Sequence, residues 1–231
     1  MLSLGLLLVL QGTPAPAPHP FRVEDMQKLR RLREAVLSPD DRWIAYAVQT
    51  SDTAKNKSIT NLWLVSSSGG TPLQLTFAEQ GSNAGIRWAP DSKSLYFLSS
   101  RDSGTPQIFQ LALGGGEARQ ITHSAIGVSS YLLSPDGKTL AVVALKGRGQ
   151  FELYLTKPGN FDVTNAKSTG IAACKVAWQP DSRGLVIVQL GATCEGQGTG
   201  PLVHIPLDDP QKQANLKVQG DNPAFQPLPG G

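Results

Sequence analysis

Residues that do chemistry are scarce in this chain: its 231 positions hold three histidines, two cysteines and 6% aromatics. Serine acyl transfer needs an exposed nucleophile elbow, Gly-x-Ser-x-Gly, and none occurs. Gly127-Val128-Ser129-Ser130-Tyr131 and Gly81-Ser82-Asn83-Ala84-Gly85 both miss the pattern. A P-loop, a dinucleotide fingerprint, a paired-histidine zinc helix and an EF-hand loop are missing as well, so no cofactor is expected. Gly196-Gln197-Gly198-Thr199-Gly200 has neither a strand-to-helix setting nor a trailing lysine, and reads as a loop rather than a phosphate cradle. His19 lies in a proline-rich tail, His123 follows Ile121-Thr122, and His204 sits in an expected strand, each an ordinary turn or strand residue.

Strong charge is missing too. Twenty-one Lys and Arg against 18 Asp and Glu leave +3, too mild and dispersed for a nucleic-acid reader. The apolar run from Leu2 to Leu10 is shorter than the ~20 residues of a membrane span, but suits a signal-peptide core. An Ala15-x-Ala17 pattern in the proline-rich stretch after it fits cleavage, although no Lys or Arg precedes the run and Pro18 comes directly after the site. Residues 1–20 are therefore expected to be a signal peptide and linker, and the protein periplasmic or secreted.

What the chain does have is a repeat. A large apolar residue and then x-Pro-Asp recur at Leu37-Ser38-Pro39-Asp40, Trp88-Ala89-Pro90-Asp91, Leu133-Ser134-Pro135-Asp136 and Trp178-Gln179-Pro180-Asp181, with a truncated copy at Phe225-Gln226-Pro227. The prolines step by 51, 45, 45 and 47 residues, a period belonging to propeller blades. Proline presets the first turn position, aspartate suits the second, and Gly137 accepts the left-handed conformation of the third. Asp41, Ser92 and Ser182 replace that glycine elsewhere, so strain or another turn type is expected at the two serines. Because turn chemistry accounts for the four aspartates, they are not read as a metal site.

After each corner comes a basic residue and a strand apolar on both faces, such as Trp43-Ile44-Ala45-Tyr46-Ala47-Val48 or Leu185-Val186-Ile187-Val188, as strands between stacked sheets require. A third strand comes next (Asn61 to Val65, Gln107 to Leu111, Glu152 to Leu155, Leu202 to Ile205). Gly69-Gly70 and Gly115-Gly116 then turn into outer strands ending Leu75-Thr76 and Ile121-Thr122, whereas the third and fourth repeats blur this last strand. The expected fold is all-β: a β-propeller of four-stranded antiparallel blades over residues 35–231, with repeats at about 35–76, 83–122, 127–169 and 173–218 and a partial fifth at 222–227. A short helix over 21–34 precedes it, with Val23, Met26, Leu29 and Leu32 forming an apolar stripe that packs on the propeller. An unclosed arc exposes sheet edges, so closure or a protein or peptide partner is expected. Cys174 and Cys194 flank a hairpin of the fourth repeat, where either a disulfide or two unpaired thiols fits; zinc is excluded, since neither has a further ligand at the right spacing. The loops 53–61 and 196–200 are the expected contact segments.

These residues resemble the WD40-like propellers of TolB-like periplasmic proteins and the N-terminal propeller of the prolyl oligopeptidase family, in its acylaminoacyl- and dipeptidyl-peptidase branches. The peptidase likeness runs from Phe21 to about Ala144, through Val23-Glu24-Asp25, Ser38-Pro39-Asp40, Asn61-Leu62-Trp63-Leu64 and Gly115-Gly116-Glu117-Ala118-Arg119-Gln120-Ile121-Thr122. The resemblance implies a non-catalytic binding propeller or, alternatively, the substrate-gating propeller of a serine peptidase. The family's Ser, Asp and His belong to a hydrolase domain with no counterpart in these residues, so none is carried over.

Overall fold

The computed structural model describes residues 20–220, apart from 103, 126, 146–149, 160–165, 174 and 189–199. The expected signal peptide, the partial fifth repeat, Cys174, Cys194 and loop residues 196–199 lie outside the described residues. The rest forms four meandering antiparallel sheets, each with its strands hydrogen-bonded in chain order. Blade 1 holds β1 (Arg31–Leu37), β2 (Trp43–Asp52), β3 (Lys57–Ser66) and β4 (Leu73–Gln74). Blade 2 holds β5 (Asn83–Trp88), β6 (Ser94–Ser99), β7 (Gln107–Ala112) and β8 (Arg119–Gln120). Blade 3 holds β9 (Val128–Leu133), β10 (Leu140–Leu145), β11 (Phe151–Thr156) and β12 (Lys167–Ser168). Blade 4 holds β13 (Lys175–Trp178), β14 (Gly184–Val188), β15 (Gly200–Pro206) and β16 (Ala214–Gly220).

Two expectations are corrected. The helix over 21–34 shrinks to α1 (Val23–Lys28): Leu29 is already extended, at φ −65° and ψ 128°, and Arg31–Leu37 is the first strand of blade 1. A ladder of six residue pairs from Arg31↔Gln49 to Leu37↔Ile44, with a register shift between Leu32 and Glu34, ties the segment to β2, which a marginal short helix cannot match. Its three-residue stripe does not pack: Val23 is 71% and Leu32 65% exposed. The fourth strand, expected to be blurred in the last two repeats, is present in both, and in blade 4 it is seven residues long.

Stacking explains why the inner strands are apolar on both faces. Residues of one strand alternate between two cores, one shared with the blade before and one with the blade after. In β6, Leu95 and Phe97 join Ala45, Ala47, Leu62 and Leu64 of blade 1, while Tyr96 joins Val142 and Tyr154 of blade 3. In β10, Ala141 and Val143 turn the other way, to Trp178, Leu185 and Ile187 of blade 4. The described residues thus form three cores, one per junction.

The outer strands are anchored by threonine. Thr76 Oγ1 accepts the Leu62 N–H at 2.8 Å and donates to Asn61 Oδ1 at 2.9 Å. Thr122 repeats the device, accepting from Ile108 N–H at 2.7 Å and donating to Gln107 Oε1 at 2.8 Å. The pairs Leu75-Thr76 and Ile121-Thr122 therefore sit just past the two-residue strands β4 and β8, holding a buried N–H that the short strand leaves over.

The corners take one form throughout. Asp41, Ser92, Gly137 and Ser182 have φ of 59°, 58°, 71° and 61°, so the serines adopt the turn that Gly137 does. Their left-handed backbone is offset by a contact between blades: Ser92 Oγ accepts the Asp40 N–H at 3.1 Å, and Ser182 Oγ accepts the Asp136 N–H at 3.0 Å. At the remaining junction, a Cβ on Gly137 would lie 3.2 Å from Pro90 Cδ, so close approach replaces the hydroxyl.

Candidate functional site: the inner rim

The first strand of each blade packs on the first strand of the next, so β1, β5, β9 and β13 converge on one inner edge. At each junction a ring on the following blade's first strand donates to a carbonyl of the preceding one. Trp88 Nε1 reaches Val36 O at 3.0 Å, Tyr131 Oη reaches Gly85 O at 2.7 Å, and Trp178 Nε1 reaches Leu132 O at 3.2 Å. These bonds fix the height of each strand against its neighbour. Ile86 N–H adds a bond to Glu34 Oε2 at 3.2 Å across the first junction.

Beside this ladder lies a cavity of about 210 Å³ lined by Arg87, Ser130, Leu132, Val143, Lys175 and Val176 among others. Its lining joins apolar side chains of blades 3 and 4 to two basic residues, Arg87 of blade 2, which also donates to Ile86 O at 2.7 Å, and Lys175 of blade 4. Burial pushes the Tyr131 hydroxyl well above the ordinary phenol value, against the smaller opposing pull of Arg87, so it stays a neutral donor. The cavity offers an apolar seat and cationic groups but no nucleophile–base pair, which suits holding a chain segment that bears a carboxylate.

The expected site residues fall elsewhere. Pro39, Asp40, Pro90, Asp91, Pro135, Asp136, Pro180 and Asp181 form the β1–β2, β5–β6, β9–β10 and β13–β14 corners, with Asp40 and Asp136 bound to their own turns. Ser38 Oγ donates to Asp40 Oδ1 at 2.6 Å and accepts Trp43 N–H at 2.9 Å, and Ser134 does the same for Asp136 and Thr139. No group of three or more potential metal ligands occurs among the described residues. Segment 53–61, expected to lie between blades, is instead the β2–β3 turn and the start of β3, with Lys55 tied to Asp52. His204 Nε2 lies 3.0 Å from Gln179 Oε1, a satisfied strand histidine.

The Ser38 bond, followed by the Arg42 backbone and side chain, lowers the Asp40 pKa from 3.8 to about 2. A carboxylate depressed by folding stabilises fully above its unfolded value, and that contribution is lost as pH falls from 3.8 through about 2. Ser38→Ala removes the largest cause. Thermal melts followed by circular dichroism should therefore show the variant losing less melting temperature across this window than the wild type; equal losses would remove Ser38 from the account.

The inner-rim residues escape a reading of the sequence because no motif surrounds them; they lie singly in the first strands of different blades. A signal exists, since five residues before the corner prolines stand Glu34, Gly85, Ser130 and Lys175, a non-apolar column running along the inner strands.

Residues 34–227 match the model of the TolB beta propeller domain. The chain belongs to the TolB β-propeller family. Among curated proteins, it is 30% identical over 127 residues to the uncharacterized peptidase YuxL of Bacillus subtilis, covering 55% of this chain and 19% of that one. It is 34% identical over 110 residues to dipeptidyl-peptidase 5 of Porphyromonas gingivalis, covering 48% and 16%. The chain thus spans less than a fifth of these relatives. Among solved structures, the acylaminoacyl peptidase of Pyrococcus horikoshii superposes with a TM-score of 0.65 at 14% identity, covering 84% of this chain and 33% of that one. A putative TolB of Agrobacterium tumefaciens gives 0.55 at 16% identity, covering 82% and 81%. Identities this low speak to the TolB-type propeller fold alone. No helix among the described residues is long and apolar enough to cross a membrane.

Proposed function

We propose that this TolB-family propeller is an exported, non-catalytic binding module that holds protein or peptide segments at its inner rim, with a carboxylate seated against Arg87 and Lys175. The observation that carries this is the cavity of about 210 Å³ where blades 2, 3 and 4 meet, lined by both cations. The fold supports it physically: a rigid stack of sheets sets the separation of these groups, so little ordering is needed on binding. Export rests on the apolar run at residues 2–10. The direct test is fluorescence anisotropy with a labelled, extended peptide rich in Glu, and a Lys-rich peptide as control. Saturable binding of the acidic peptide, weakened by salt, is expected. Arg87→Glu should cost roughly tenfold or more in affinity, the ~1.4 kcal/mol or more of a lost charge-assisted contact. Equal binding of both peptides, or of wild type and variant, sinks the proposal.

A second reading is favoured by the names of the relatives, which are peptidases. In it the same rim gates substrate for a serine peptidase's hydrolase domain. The two readings share the binding site and differ in the fate of the bound segment, which is held in the first and passed on for cleavage in the second. Hydrolysis of aminoacyl or dipeptidyl chromogenic substrates by the purified 231-residue chain would defeat the non-catalytic reading outright.

A further inference from the structure

Another cavity, of about 420 Å³, opens toward the outer strands of blades 1 and 2, between the segment that follows β4 and the β7–β8 side of the next blade. Leu75, Phe77, Leu111, Ala118 and Glu117 line it together with Arg101, the one cation of the lining. It shares no residue with the inner-rim cavity. Its volume falls within the ~300–1,000 Å³ of small-molecule pockets.

Arg101 is fixed in place from two sides. Its Cζ lies 4.9 Å from the ring centroid of Phe109 and 5.5 Å from that of Phe97, two stacked rings of the core between blades 1 and 2. Arg101 Nε donates to Ser99 Oγ at 2.9 Å, and Nη2 donates to Asn83 Oδ1 at 3.2 Å. Both acceptors belong to buried residues, and the Asn83 amide is oriented in turn by donating to Thr60 O at 2.8 Å and to Thr76 Oγ1 at 3.3 Å. These bonds occupy the side edge of the guanidinium, formed by Nε–H and the nearer Nη2–H. The end edge, one N–H from each Nη, has no acceptor among the described residues, and none of their ion pairs includes Arg101. That edge is a fork able to hold a carboxylate through two parallel bonds. Burial pulls the Arg101 pKa below its ordinary value, against a smaller opposing effect of Asp102, as expected of a cation partly stripped of water.

The rest of the lining restricts what can sit on the fork. Leu75, Ala78, Leu111 and Ala118 are apolar, and Phe77 is 74% exposed, an aromatic surface left to water on the same cavity. Glu117 repels a second negative charge, which favours a monoanion over phosphate. We propose that this cavity binds a small carboxylic acid with an apolar body, its carboxylate paired to the Arg101 fork and its body lying against Leu75, Phe77 and Leu111. The site goes beyond the peptide-holding role of the inner rim and uses none of its residues.

Nuclear magnetic resonance titration of the full chain with hydrocinnamate, a phenyl ring on a short carboxylate chain, is the test. Saturable shifts are expected in the amides of residues 75–78 and 116–118 and in the Arg101 Nε–H. Hydrocinnamyl alcohol, which lacks the charge, and acetate, which lacks the body, should each bind about tenfold more weakly or worse. Arg101→Lys keeps the charge without the fork and should cost roughly tenfold. Because Arg101 also braces the core, two exposed substitutions carry the test independently of folding. Phe77→Ala should weaken binding about threefold or more, and Glu117→Lys should tighten it by about threefold at low salt, both with the circular dichroism melt unchanged. No saturable shift at these amides, equal binding of acid and alcohol, or an affinity indifferent to both exposed substitutions would overturn the proposal. Shifts confined to the surroundings of Arg87 and Lys175 would overturn it too, while leaving the inner-rim reading intact.

Discussion

Trp88→Ala is expected to cost ~3–5 kcal/mol of unfolding free energy, the range for removing a buried aromatic ring from a core that cannot collapse around the void. Trp88 is 8% exposed and lies in the core between blades 1 and 2 with Ile86, Leu95, Phe97 and Phe109. Its indole also holds Val36 O at 3.0 Å, so truncation removes both filling and a bond between first strands. Against a total stability of typically ~5–15 kcal/mol, such a loss is a large share. Trp88→Phe separates the two contributions: it keeps most of the volume but leaves Val36 O without its donor, for about 1 kcal/mol. Urea denaturation of the three proteins, followed by fluorescence and circular dichroism, measures both differences. A change below about 1 kcal/mol for Trp88→Ala would mean that the junction between blades 1 and 2 is not packed as described.

The second large effect is expected at Gly184, where the smallest side-chain addition should destabilise by ~1–3 kcal/mol. A Cβ there would sit 2.5 Å from His204 Nε2, 2.7 Å from Gln179 Oε1 and 2.8 Å from Ile205 O. The two side chains can swing aside only by giving up their mutual hydrogen bond. Ile205 O cannot move, because β15 is paired to β14 through Leu185↔Ile205. The backbone is not left-handed here, so the penalty is one of space alone. Gly184→Ala combined with His204→Ala should recover part of the loss, with the clash against Ile205 O remaining. Thermal melts of the single and double variants would show it, and a Gly184→Ala protein as stable as the wild type would contradict the packing of blade 4.

The propeller is legible in the sequence because its punctuation is local. Proline, aspartate and a left-handed third residue mark one corner per blade, and doubly apolar strands announce sheets stacked on both sides. Hidden from it is whatever depends on neighbouring blades. The serines at φ 58° and 61° look strained in isolation; their hydroxyls take N–H groups from corners some fifty residues away in sequence. Arg31–Leu37 carries charges and three-residue spacing that favour a helix, and only the ladder to β2 makes it a strand. Arg87 and Lys175 are distant in sequence, and convergence of the first strands is what places them around one cavity.

The central claim is that a ligand segment bearing carboxylates is held at this convergence, and a hydrogen-exchange footprint tests it most directly. Amide exchange of the full chain, read by mass spectrometry with and without the acidic peptide, should slow over Val128–Leu133 and Lys175–Trp178, the strands that frame the cavity. Protection confined to the β2–β3 turn of blade 1, with these inner strands unchanged, would contradict it.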